Sequence, residues 1–152
     1  MRIPAKTDYA LRAVAELGCA KPGEPVKAEA IAAGAGIPLR FLENILSELR
    51  HAGVVESRRG AEGGYLLARP AEEIPLADVI RAVDGPLANI GGTRPEALDY
   101  PGGARALRDV WVAVRASLRD VLENVTVAEL ATGRLPESVA ALTARDDAWR
   151  PH

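Results

Sequence analysis

Residues 36–69, GIPLRFLENILSELRHAGVVESRRGAEGGYLLAR, decide the fold. Pro38 suits the first turn of a helix, where its missing N–H costs nothing. Leu42, Ile45, Leu46 and Leu49 then recur at three- and four-residue spacing and predict one buried stripe. Gly53 predicts the stop, because glycine takes the left-handed C′ conformation cheaply. The opposite face carries Arg40, Phe41, Glu43, Asn44, Ser47 and Arg50, side chains able to bond base edges or phosphates. A β-prone run opens at Val54 and Val55 and closes at Tyr65, Leu66 and Leu67. The intervening SRRGAEGG (57–64) sets Arg58 and Arg59 on a glycine-bearing tip, with Gly63 and Gly64 allowing close backbone approach. Paired arginines on such a finger fit phosphates or a minor groove. A helix followed by a wing is the arrangement of a winged helix-turn-helix, so these ten polar, aromatic and glycine positions form the candidate DNA surface.

The flanking sequence supplies the other parts. Residues 5–20 predict an amphipathic helix with Ala10, Leu11, Val14 and Leu17 inward and Cys19 as a small buried hydrophobe. Val26 is placed to pair briefly with the wing. A short helix over 28–33, anchored by Ile31, reaches the Pro38 helix through Gly34 and Gly36. Two helices joined by such a turn match the helix-turn-helix pattern. The expected fold is mainly α with a small hairpin, a winged domain over 1–70.

Beyond residue 70, Leu76, Val79, Ile80 and Val83 mark a connecting helix. A Gly/Pro-rich loop fills 85–103, the two together forming a connector over 71–103. The longest helix is expected over 104–124. Leu107, Trp111, Val114, Leu118, Val121 and Val125 alternate four- and three-residue spacings, a coiled-coil type of seam. Thr126 and Glu129 fit a capping box opening a short helix to Gly133, which closes a 104–133 unit. Residues 134–152 are expected to form a weakly helical, fraying tail. An apolar seam outside the winged core needs cover, and a second copy of the chain is the simplest. That pairing also sets two reading heads on half-sites related by a two-fold axis.

Composition limits the alternatives. With 152 residues, 48% hydrophobic and 4% aromatic, the chain can bury one core built mostly from aliphatic side chains. No apolar run is long enough to span a membrane, and Pro4, Lys6, Asp8 and Arg12 interrupt any secretory core, so a cytoplasmic location is expected. One cysteine and two histidines leave no disulfide, metal set or nucleophile–base pair, so no metal and no enzyme is expected. The GAEGG motif lacks the Lys-Ser/Thr of a phosphate-binding loop. Net charge is −2, yet residues 1–69 hold ten Lys+Arg against eight Asp+Glu, while 70–152 hold nine against thirteen. The basic excess falls on the half with the candidate reading head.

The chain resembles the IscR/NsrR/CymR family of bacterial transcription regulators over residues 1–133. The resemblance rests, in order, on MRIPAKTDYALRAV, FLENILSELRHAGVV, SRRGAEGGYLLARP, IPLADVIRAVDG and LRDVLENVTVAEL. It implies a winged domain with a long dimerisation helix, acting as a homodimer on palindromic double-stranded DNA. It also implies that Arg40, Phe41 and Glu43 meet the major groove and Arg59 the minor groove. Serine and tyrosine are common in the family where Arg40 and Phe41 stand here. Many members hold an iron–sulfur cluster on cysteines in the loop before the dimer helix. Here residues 85–108 contain neither cysteine nor histidine, so a regulator without a cofactor is expected. Two other readings stand beside it: a winged helix used for protein interaction, and a sensor holding a small-molecule effector near the 85–103 loop.

Overall fold

Leucine and isoleucine at helical spacing, closed by glycine, produce the helix that anchors the molecule. The computed structural model describes residues 2–151. Helices α1 (Ala5–Cys19), α2 (Ala28–Ala35) and α3 (Leu39–His51) precede the strands β1 (Val55–Arg58) and β2 (Gly64–Leu67). Then follow α4 (Leu76–Asp84), α5 (Leu107–Leu122), α6 (Val127–Thr132) and α7 (Glu137–Thr143). On α3, Leu42, Ile45, Leu46 and Leu49 are all buried. Its end is a Schellman arrangement: Gly53 N–H donates to Arg50 O and Val54 N–H to Leu49 O, with Gly53 at φ +72°.

The hairpin is antiparallel, with Val55 opposite Leu67 and Arg58 opposite Gly64. Val26 extends it as expected, exchanging two 2.8 Å hydrogen bonds with Tyr65. The arrangement is that of a winged helix, mostly helical with one two-stranded wing.

The core runs past residue 70. Ile74, Leu76, Val79 and Val83 pack with Val14, Leu17, Ile31 and the α3 stripe in one cluster. The chain returns to it through two backbone bonds, Leu76 N–H to Val125 O and Val127 N–H to Ile74 O. At Thr126 the capping box forms in full, its hydroxyl accepting from Glu129 N–H while the Glu129 carboxylate accepts from Thr126 N–H.

Three expectations change. The long helix is shorter than 104–124, because Gly102–Ala104 form a separate 3-10 turn and α5 begins at Leu107. Val125 lies beyond α5 and is buried in the core of its own chain, so it is not a free seam residue. Cys19 is exposed rather than buried. Its neighbour Gly18 holds the contact instead: a Cβ there would stand 2.9 Å from Ala131 Cβ, so α6 crosses α1 where only glycine fits. In the tail, α7 over Glu137–Thr143 lays Val139 against the core.

Candidate nucleic-acid interface

Burying Leu42, Ile45, Leu46 and Leu49 turns Arg40, Phe41, Glu43, Asn44 and Arg50 outward, all exposed, with Ser47 half-buried. Arg40 does not stand free, since its guanidinium lies 4.7 Å above the Phe41 ring. Phe41 is 45% exposed while leaning on Tyr9 of α1, ring centroids 6.3 Å apart. Tyr9 was not singled out from the sequence; it joins Phe41, Asn44 and Ser47 in lining an open cleft of about 570 Å³ between α1 and α3. Glu43 forms no ion pair with Arg40 or Arg50 among the described residues. Arg50 instead donates to Ser57 Oγ at 3.4 Å and ties the end of α3 to the wing. His51 Nδ1 lies 2.7 Å from Ser47 O, a local capping contact.

The wing separates its two arginines. Arg58 Nη1 donates to Gly23 O at 2.9 Å and its Nη2 sits 3.6 Å from Glu56, so this side chain fastens the hairpin to the 21–25 loop. Arg59 is exposed and has no side-chain hydrogen bond or ion pair among the described residues. Lys27, unmarked by any sequence pattern, donates to Ala61 O at 2.7 Å and braces the tip from beneath.

Gly63 and Gly64 do make close backbone approaches. A Cβ on Gly63 would stand 2.1 Å from Arg58 O, and one on Gly64 2.5 Å from Val26 O. Their close approaches are to the chain's own backbone, and Gly63 is buried. They shape the wing.

On α5 the apolar seam is only partly covered. Leu107, Trp111, Val114 and Leu118 are half-buried, and Val110 beside them is 51% exposed. Val121, one turn nearer the core, packs against it. The Trp111 indole N–H is buried without a hydrogen-bond acceptor among the described residues. No helix among the described residues is long and apolar enough to cross a membrane.

This geometry has close counterparts in known proteins. Residues 3–133 match the family described as Rrf2, iron-dependent transcriptional regulator. The chain belongs to the Rrf2 family. It is 51% identical over 142 residues to Rv1287 of Mycobacterium tuberculosis H37Rv, a candidate HTH-type transcriptional regulator, covering 93% of this chain and 88% of that one. It is 35% identical over 133 residues to the HTH-type transcriptional regulator CymR of Bacillus subtilis, covering 87% and 91%. The solved structure of B. subtilis CymR, the global cysteine regulator of that organism, superposes with a TM-score of 0.74 at 32% identity, over 88% of this chain and 98% of that one. That of T. potens IscR gives 0.71 at 28% identity, over 99% and 97%. An Rrf2 chain of this kind is a DNA-binding transcriptional regulator, and its family and relatives are regulators rather than enzymes.

The family's description raises the question of iron. Thiolates stabilise biological iron–sulfur clusters, and the chain has a single cysteine, exposed at the end of α1. Among the described residues no three His, Cys, Asp or Glu side chains are grouped to hold a metal ion. The donor set does not fit an iron–sulfur cluster.

Proposed function

We propose that this Rrf2 protein is a cytoplasmic, cluster-free repressor that binds a palindromic operator as a homodimer. In this reading α3 enters the major groove, and Arg40, Glu43, Asn44 and Ser47 face base edges and phosphates. Arg59 reaches the adjacent minor groove from the wing. The observation that carries it is the contrast within the wing: Arg58 is engaged by Gly23 and Glu56, while Arg59 projects with no side-chain partner among the described residues. A bound arginine builds the finger and a free one meets the duplex. Glu43, on the same face and without an ion pair among the described residues, can accept from cytosine N4 and favours discrimination over raw affinity. Repression follows from a dimer occupying both grooves and occluding the site. Dimerisation is supported by the apolar side chains left along α5, from Leu107 to Leu118, and by the unmatched Trp111 N–H.

Arg59→Ala is expected to weaken binding to the selected operator by about 1–3 kcal/mol. Arg58→Ala should alter wing stability more than it alters the contact itself. Gel-shift titrations at fixed salt check this. Unchanged operator affinity in the Arg59 variant would remove the wing from the interface.

A further inference from the structure

Four guanidinium groups converge on one open cleft, far along the chain from the reading head. Arg81 comes from α4, Arg94 from the loop that follows, and Arg115 and Arg119 from α5; with Asn89 and Glu96 they line about 270 Å³. The sequence separation explains why no motif announces the site: three elements must fold together before the charges meet. We propose that this cleft binds a compact dianion, a small metabolite bearing phosphate or two carboxylates, and so serves as the effector site of the regulator.

Charge and size carry the assignment. Glu96 pairs with Arg115, and Glu123 sits behind the cleft accepting from both Arg81 and Arg119. Four cationic and two anionic side chains leave an excess of two positive charges (4 − 2 = 2). Counting the next pair, Arg69 and Asp78, leaves that excess unchanged. Arg94 has no side-chain hydrogen bond or ion pair among the described residues. Guanidinium forks match carboxylate and phosphate oxygens bidentately, and Asn89 adds an amide at the rim. The volume lies at the lower edge of small-molecule sites, which suits a ligand of a few heavy atoms. Both carboxylates titrate below their usual range, Glu96 through its own backbone N–H and then Arg115, Glu123 through Arg81 and then Arg119. They therefore stay ionised at neutral pH and act as internal stand-ins that an incoming anion competes with.

The location gives the ligand a lever. Arg81 lies on a helix packed in the winged core, while Arg115 and Arg119 lie on α5. An anion bridging them sets how α5 stands against the reading domain. This regulatory part rests on the dimeric reading above; the binding itself does not.

The test is isothermal titration calorimetry of the full chain, without DNA, at pH 7.5 and constant ionic strength. Inorganic phosphate and succinate are the two probes. Saturable binding of either, one per chain, is expected, and the preferred probe tells phosphate from dicarboxylate chemistry. Arg94→Ala removes a guanidinium that makes no side-chain hydrogen bond or ion pair among the described residues and should weaken the preferred anion about tenfold, the size of one charge-assisted hydrogen bond. Glu96→Gln removes the internal competitor and should tighten it. A merely structural role for Glu96 predicts the reverse. No saturable heat with either probe, or equal affinity in the Arg94 variant, overturns the site. So does a loss of duplex affinity in Arg94→Ala with anion binding unaltered, which would make the cluster a nucleic-acid contact.

Discussion

Truncating Leu46 to alanine is expected to lower the unfolding free energy by about 2–5 kcal/mol. Leu46 is fully buried in the middle of α3, between Leu42 and Leu49 on the stripe that fixes the helix against α1, α2 and α4. The deletion removes transfer energy and leaves a void in a core poor in aromatic side chains that could collapse into it. Against a typical total of about 5–15 kcal/mol, such a loss is large. Urea titrations should show a lower midpoint with an unchanged slope. Operator binding should fall only as far as the folded fraction falls, because Leu46 is fully buried and cannot itself meet DNA. A midpoint shift equivalent to less than about 0.5 kcal/mol, the size of an ordinary surface change, would contradict the packing described for α3.

The second large effect is expected at Trp111. On the proposed dimer it is the one large aromatic of the α5 seam, and buried aromatics near an interface centre cost about 2–4 kcal/mol when truncated. Trp111→Ala should therefore raise the dimer dissociation constant by about 30- to 1,000-fold. Sedimentation equilibrium reads that constant directly. Because α5 has no fully buried residue, the single chain should keep its helical circular dichroism. A variant that dimerises as tightly as the parent would move the interface elsewhere.

Most of the architecture was legible because its signals are local. Leucine spacing, Gly53 and the Thr126–Glu129 box each act within one or two turns, and each element formed where its pattern lay. What was not legible depends on contacts distant in sequence. Cys19 reads as a buried hydrophobe at a helix end, but α6 crosses at Gly18 and leaves the thiol outside. Val125 continues the seam on paper, yet the helix stops at Leu122 and the chain turns it into the core. Residue type and spacing alone do not tell Arg58 from Arg59; Gly23 and Glu56 engage one of them. Gly63 and Gly64 signal close approach correctly, but not to what; the answer is Arg58 and Val26 of the same chain. The arginine cleft has no sequence signature at all, since its members are spread from Arg81 to Arg119.

In the proposed complex, two copies of the chain hold one duplex through α3 and Arg59. Analytical ultracentrifugation of the protein with a fluorescent duplex, selected from random DNA by the protein itself, tests it most directly across a salt series. Two chains per duplex are expected, with a linear fall of log affinity with log salt that is shallower for Arg59→Ala. One chain per duplex, or an affinity indifferent to salt and to Arg59, would contradict it.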